Sequence, residues 1–170
     1  MGPKLKLGAA LIAVCAAGGG AVAQDAMFGT EDDVDMAAAL WQAMIDARLA
    51  GEGAIHTLPY AGTEPHGAVL ETFYMPFEMN GQEGQLIVKR NHMAEGLTPG
   101  TVWDDPDAAL DAITVMFEQP DTESGWFWAK YFPDGSLDQT PDGVSLAGQA
   151  AGCIGCHSGA ADGDMVFAND

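Results

Sequence analysis

Cys153, Cys156 and His157 stand within five residues, in the run Cys153-Ile154-Gly155-Cys156-His157. Residues three apart on a helical turn share a face, so the two thiols point the same way. Each can add to one vinyl group of a single porphyrin, and the adjoining imidazole can take the iron as its proximal ligand. The run is the attachment signature of a c-type haem, and the expected cofactor is one covalent haem c. Zinc is the competing reading of a C-x-x-C pair, but a structural zinc takes about four protein ligands. The one other cysteine, Cys15, falls in a segment expected to be removed. A redox dithiol sits at the head of a helix in a βαβ pattern, and no such pattern surrounds this pair. The iron face opposite His157 then decides whether the protein carries electrons, binds a gas or does chemistry.

Residues 1–23 read as a secretory signal. Lys4 and Lys6 form a basic start, the apolar run from Leu7 to Val14 is too short to span a bilayer, and Ala21-Val22-Ala23 is a small-x-small cleavage site. Cleavage near Ala23 leaves one domain, residues 24–170, exported to a periplasm. A lipoprotein reading would acylate Cys15, but Val14 is large for the position before such a cysteine. No later apolar run reaches transmembrane length, so no membrane insertion is expected after cleavage. With Cys15 gone, no cysteine remains for a structural disulfide.

Loss of Lys4 and Lys6 leaves four basic residues, Arg48, Lys89, Arg90 and Lys130, against 25 acids, a net charge of about −21. Nucleic acid and anionic membrane surfaces are poor partners for such a charge, and no nucleic acid is expected. A basic redox partner would be steered towards such a chain, although the spread of the acids along the sequence also fits plain solubility.

The elements that must position the haem motif follow from periodicity. Residues 25–33 read as a polar arm. Thr30 and Asp33 form a capping box that starts a helix running to about Ala50, with Val34, Ala38, Trp41, Ile45 and Leu49 as its apolar stripe and Gly51 and Gly53 as its stop. Trp41 and Met44 could touch haem, but such a stripe is more often core. A loop with His56 and His66 follows. Val69 to Met75 reads as a strand closed by Pro76, Gln85 to Arg90 as a second, Ile113 to Gln119 as a third and Gly125 to Phe132 as a fourth. Residues 95–107 read as a linker. Alternation sends Ile87 and Lys89 to one face and Val88 and Arg90 to the other, and separates Trp126, Trp128 and Lys130 from Phe127, Ala129 and Tyr131. A short helix then carries the haem motif. The expected fold class is α+β: an antiparallel sheet of four to five strands between an N-terminal helix and a C-terminal haem-bearing helix.

This order differs from small electron-transfer cytochromes c, which are all-helical with the motif near the N-terminus and a Met ligand far downstream. Here Met165 lies only eight residues beyond His157, too close to wrap round a haem edge.

Over residues 60–167 the chain resembles the cytochrome P-460 and cytochrome c′-beta superfamily. The resemblance is carried by Pro65-His66-Gly67, by Leu86-Ile87-Val88-Lys89 with Asn91, and by Thr114-Val115-Met116. It continues in Gly125-Trp126-Phe127-Trp128 with Tyr131 and Pro133-Asp134-Gly135, and ends in Cys153 to His157 and Asp164-Met165-Val166-Phe167. It implies an antiparallel sheet with helices, a homodimer, and a high-spin haem whose one protein axial ligand is His157. Members bind nitric oxide or oxidise hydroxylamine and nitric oxide. In the cytochrome P-460 branch a lysine at the place of Lys89 is joined to a haem meso carbon. A lysine facing apolar surroundings has a lowered pKa and a nucleophilic amine; a strand lysine that snorkels to water is the plainer reading. An arginine of the hydroxylamine-oxidising branch is replaced by Glu71 in the strand pattern, and no acidic pocket residue can be assigned after the haem histidine, where Ser158 and Gly159 follow. Glu71 is the candidate base for protons released on oxidation, against a solvated surface carboxylate.

The expected protein is a periplasmic monohaem c-type cytochrome with an open distal iron site for small nitrogen species, nitric oxide first and hydroxylamine second. Phe73, Phe77 and Trp128 are candidates to line that site, although plain core is the commoner role for each. The alternatives are a six-coordinate electron carrier using His56, His66, His92 or a Met, and a haem subunit serving a redox partner.

Overall fold

The computed structural model describes residues 28–107 and 109–167. The leader, its cleavage site and the start of the polar arm lie outside the described residues.

Helix α1 spans Glu31–Asp46. Thr30 Oγ1 accepts from the Asp33 N–H, and the Asp33 carboxylate accepts from the Thr30 N–H, so the capping box forms as its spacing predicts. Glu31, Asp32 and Asp33 place negative charge at the positive end of the helix dipole. The buried stripe is Ala37, Leu40 and Met44, not the one headed by Val34, Trp41 and Ile45; Ile45 is exposed. The helix also stops earlier than Ala50. Ala47 caps it and Arg48 takes a left-handed φ of 59° ahead of both glycines, while the Arg48 guanidinium donates to the Gly53 carbonyl.

Six antiparallel strands lie side by side in chain order: β1 Tyr60–Ala61, β2 Val69–Met79, β3 Gln82–His92, β4 Leu110–Glu118, β5 Trp126–Tyr131 and β6 Ala147–Gly148. The fold is α+β, as expected, with the two-residue strands β1 and β6 added at the edges. Residues 28 and 29 are not a free arm: Phe28 bridges Gly148 and the Gly29 N–H donates to the Ala147 carbonyl. Strand β2 runs through Pro76 to Met79 and turns at Asn80 and Gly81, whose φ of 53° and 79° make the left-handed pair that a tight hairpin requires. Pro76 is tolerated because β1 covers only Val69 and Leu70, so the missing N–H lies on an unpaired edge. Within the expected linker, Pro99–Asp104 form helix α2, capped by Thr98 and Thr101. Helix α3, Ala151–His157, carries the haem motif.

Register sorts the side chains. On one face Leu86, Val88, Ile113, Val115, Phe117, Phe127, Ala129 and Tyr131 pack with Ala37, Leu40 and Met44 of α1. The Tyr131 hydroxyl donates to the Ala37 carbonyl at 2.8 Å, and Trp41 lies 5.0 Å from the Tyr131 ring. Phe73 and Phe77 pack on this side too, so they are core, the plainer of their two readings, and do not line the haem side. Trp41 and Met44 are likewise core. On the other face Ile87, Met116, Trp126 and Trp128 pack against Cys153, Ile154, Met165 and Val166.

Glu71 belongs to the α1 side. It pairs in register with Arg90 and is 0 % exposed. The Arg90 Nε–H donates to its carboxylate at 3.1 Å, His92 Nε2 lies 3.1 Å away, the Thr57 N–H donates to it, and His56 Nδ1 is 3.5 Å distant. Arg90 also reaches Asp107 at 2.8 Å. Burial pushes the Glu71 carboxyl up, but the His92 bond, the Arg90 charge and the Thr57 N–H overcome it, and the net shift is downward from 4.5. Removing one partner from a buried charge pair costs about 3–5 kcal/mol because the other charge is stranded. Glu71→Gln should therefore lower stability in urea titration by about that amount at neutral pH. A carboxyl with a depressed folded pKa contributes stability above its unfolded value, and that stability is lost as pH falls through the folded value. Wild type should accordingly weaken below about pH 4.5, and the gap to the variant should close there.

Candidate functional site

Helix α3 opens at Ala150 without a side-chain cap and lasts seven residues. Its one turn holds Cys153 and Cys156 as free thiols and ends on His157. Burial pushes the Cys153 thiol up, so it stays protonated. The His157 ring is wedged between Trp128, 4.7 Å away, and Phe167, 5.4 Å away. Its Nδ1–H donates to the Met165 carbonyl at 2.6 Å, leaving the Nε2 lone pair as the coordinating atom. Burial lowers the His157 pKa, the Met165 bond raises it and the nearby Lys89 charge lowers it, with a net downward shift. The segment that supplies the Met165 carbonyl is itself held, by the Trp126 Nε1–H to the Asp164 carbonyl at 2.9 Å. The Asp-Met-Val-Phe segment thus orients the proximal imidazole.

Facing this helix, the sheet presents two rows in register. One is apolar: Tyr74, Ile87, Met116 and Trp128 are successive cross-strand partners. The next is polar: Thr72, Lys89, Thr114 and Lys130. A cavity between the rows and helix α3 is lined by Ile87, Met116, Trp128, Cys153, Cys156 and His157, with Lys89, Asn91, Thr114 and His66 at its polar side. A second cavity adjoins it and shares Pro65, His66, Lys89, Cys156 and His157. Lys130 is held by Asp138 at 2.7 Å. Lys89 makes no ion pair among the described residues, and burial lowers its pKa. The Asn91 carbonyl oxygen is buried with no hydrogen-bond partner among the described residues.

Of the expected site residues, Lys89, Cys153, Cys156 and His157 come together here, as does Trp128. Glu71 does not, since its strand parity sends it to the opposite face with Arg90 and His92. That removes His92 as a candidate iron ligand, and His56 sits beside Glu71. His66 alone of the three loop and strand histidines reaches the cavity. Burial and the Lys89 charge lower its pKa to about 4, so it is neutral at pH 7. Thr114 and Asn91 are not singled out as site residues by the sequence, although the signal is there: Asn91 is two residues from Lys89, and Thr114 is the cross-strand partner of Lys89.

These groups fit a haem. Two thiols and an imidazole with its tautomer set occupy one turn, opposite a flat apolar wall with an unsatisfied polar atom beside it. A bare metal fits less well, since among the described residues no group of three or more His, Cys, Asp or Glu could hold one. No described helix is long and apolar enough to cross a membrane. No curated protein and no solved structure matches the chain significantly. The family profile described as Cytochrome P460 matches residues 76–168, which takes in both sheet rows from Ile87 onward and the whole of the Cys153–His157 turn. With that match over more than half of its length, the chain belongs to the cytochrome P460 family and is a haem cytochrome.

Proposed function

We propose that this is a periplasmic monohaem c-type cytochrome that binds nitric oxide, and hydroxylamine as a second ligand, at the iron face opposite His157. The reading is carried by one observation: the apolar row Ile87, Met116 and Trp128 stands in register against the turn bearing Cys153, Cys156 and His157. Haem iron supplies axial coordination and one-electron chemistry when bound. Cys153 and Cys156 would hold the porphyrin by thioether bonds, and His157 Nε2 would bind the iron, with the Met165 carbonyl raising the basicity of the ring. The apolar row Ile87, Met116 and Trp128 excludes water, which favours small, weakly hydrated ligands. Export through residues 1–23, a homodimer and a basic redox partner belong to the same reading, the last supported by the net charge.

Holoprotein expressed with c-type maturation should keep its haem through acid–acetone extraction, and the variant with Cys153→Ser, Cys156→Ser and Lys89→Ala together should release it. The reduced protein should shift its Soret band on addition of nitric oxide; a reduced spectrum that ignores the gas would remove the gas-binding function.

Lys89 is proposed as a further haem attachment through its Nζ. The amine makes no ion pair among the described residues, burial lowers its pKa, and it lines both cavities. Joining it to a porphyrin meso carbon removes one hydrogen from each partner and passes two electrons to a peroxide-class oxidant. Tryptic digestion should then yield a haem peptide that joins the segment ending at residue 90 to the segment beginning at residue 131. A haem peptide from residue 131 onward alone would leave Lys89 as a polar neighbour of the ring.

A further inference from the structure

Asn91 carries a polar atom that the protein chain does not complete. The residue is 3 % exposed, it lines the cavity between the sheet and helix α3, and its Oδ1 is buried with no hydrogen-bond partner among the described residues. A bare buried acceptor is costly, so a cavity that keeps one suits a ligand that donates. The other end of the amide is tied down. Asn91 Nδ2–H donates to Thr114 Oγ1 at 3.4 Å, and Thr114 Oγ1 lies 3.5 Å from His66 Nδ1. A threonine hydroxyl has one hydrogen. Given to His66 Nδ1, it leaves the oxygen to accept from the amide, so donation runs from Asn91 through Thr114 to His66 and Oδ1 is the open end. The ring hydrogen of neutral His66 then sits on Nε2, where it blocks coordination, and His157 remains the one imidazole of the cavity free to bind iron.

The neighbours do not supply the missing hydrogen. Lys89 stands two residues away on the same face of β3 and borders the same cavity, yet it makes no bond to Oδ1. The Trp128 indole N–H is taken by Ser124 Oγ at 3.0 Å, and Ile87 and Met116 have no polar hydrogen to give. Haem has none either, because its ring nitrogens hold the metal and ionised propionates only accept. The donor therefore comes from outside both the chain and the haem.

We infer that Asn91 sets the ligand preference of the site, by accepting a hydrogen bond from ligands that carry N–H or O–H, hydroxylamine above all. The inference rests on the function proposed above and names the residue that discriminates between its two ligands. The apolar row treats those ligands unequally. Hydroxylamine gives up hydrogen bonds to water on entry, whereas nitric oxide has no hydrogen to donate and gives up little. Asn91 Oδ1 returns one bond to hydroxylamine and offers nothing to nitric oxide. A site built to hydrogen-bond its ligand also disfavours the analogue that lacks the donor, because the buried group is then left unpaired.

The test is optical titration of the ferric holoprotein with hydroxylamine and with nitric oxide, in the absence of an electron acceptor, read as the ratio of the two affinities. Asn91→Leu removes the acceptor at nearly constant volume, and the ratio of hydroxylamine to nitric oxide affinity should fall about tenfold. Thr114→Val removes the anchor of the amide; it should lower the ratio in the same direction, and it decides the matter if Asn91→Leu fails to fold. A ratio that stays at the wild-type value in the deciding variant, whether neither affinity changes or both fall together, overturns the Asn91 assignment alone. So does a wild type that takes nitric oxide but not hydroxylamine. A holoprotein that binds neither compound at its iron overturns the proposed function, and the Asn91 assignment with it.

Discussion

The register of strands β2 to β5 is the constraint on which the molecule depends. Side chains alternate across a strand with a period of two, so a slip of one residue would exchange the faces of the sheet. With the observed pairing, Thr72, Lys89, Thr114 and Lys130 line up on one face, and Phe73, Val88, Val115 and Ala129 on the other. The same slip would carry Lys89 into the α1 core and drop Glu71 beside the haem turn. Register is secured from both ends of the problem: the Asn80-Gly81 turn fixes β2 against β3, and the aromatic and aliphatic packing against Leu40 and Met44 fixes which face is dry.

The two charged groupings of the sheet illustrate what each face demands. On the α1 side Glu71 and Arg90 are both buried and both paired, with His92 closing the cluster. A buried pair of this kind contributes less to stability than to the choice of one packing, because any other arrangement strands a charge. On the haem side the Asn91 carbonyl is buried without a partner among the described residues, and the half-buried Lys89 makes no ion pair among them. A protein with 25 acids has paired only one of its two pocket lysines, Lys130, and left Lys89 without an ion pair among the described residues. Unsatisfied polar groups are costly to hold in a dry cavity, and their presence together marks the place where something other than the protein chain completes the structure.

Much of this is legible in the sequence. The haem turn, the capping box at Thr30 and Asp33, and the parity of residues 87–90 and 126–131 are local signals, each set by neighbours within a few positions. The misreadings share one physical origin, which is that their outcome is decided by distant residues. Alanines dilute the α1 stripe, so its phase depends on where the sheet lies, and the true line runs through Ala37, Leu40 and Met44. Glu71 reads as a solvated carboxylate because its partners are 19 and 21 residues away, across a hairpin. Phe73 and Phe77 acquire a face only when β2 is paired with β3. Strands β1 and β6, two residues each, have no period to detect. The site is therefore half visible: its covalent and proximal residues announce themselves by spacing, His66 is one of several histidines the sequence offers, and Asn91 enters through pairing.

The long unpaired edge of β2 has a consequence for how the protein behaves in company. Past Leu70 that strand runs to Met79 with no strand paired to its outer side among the described residues, and bare strand edges recruit further strands, from copies of the same chain or from misfolded ones. Pro76 interrupts the row of amide donors in the middle of that edge, and Glu78 adds charge just beyond it. The proline that reads as a strand terminator in the sequence is better understood as a guard against aggregation, placed where growth of the sheet would otherwise continue.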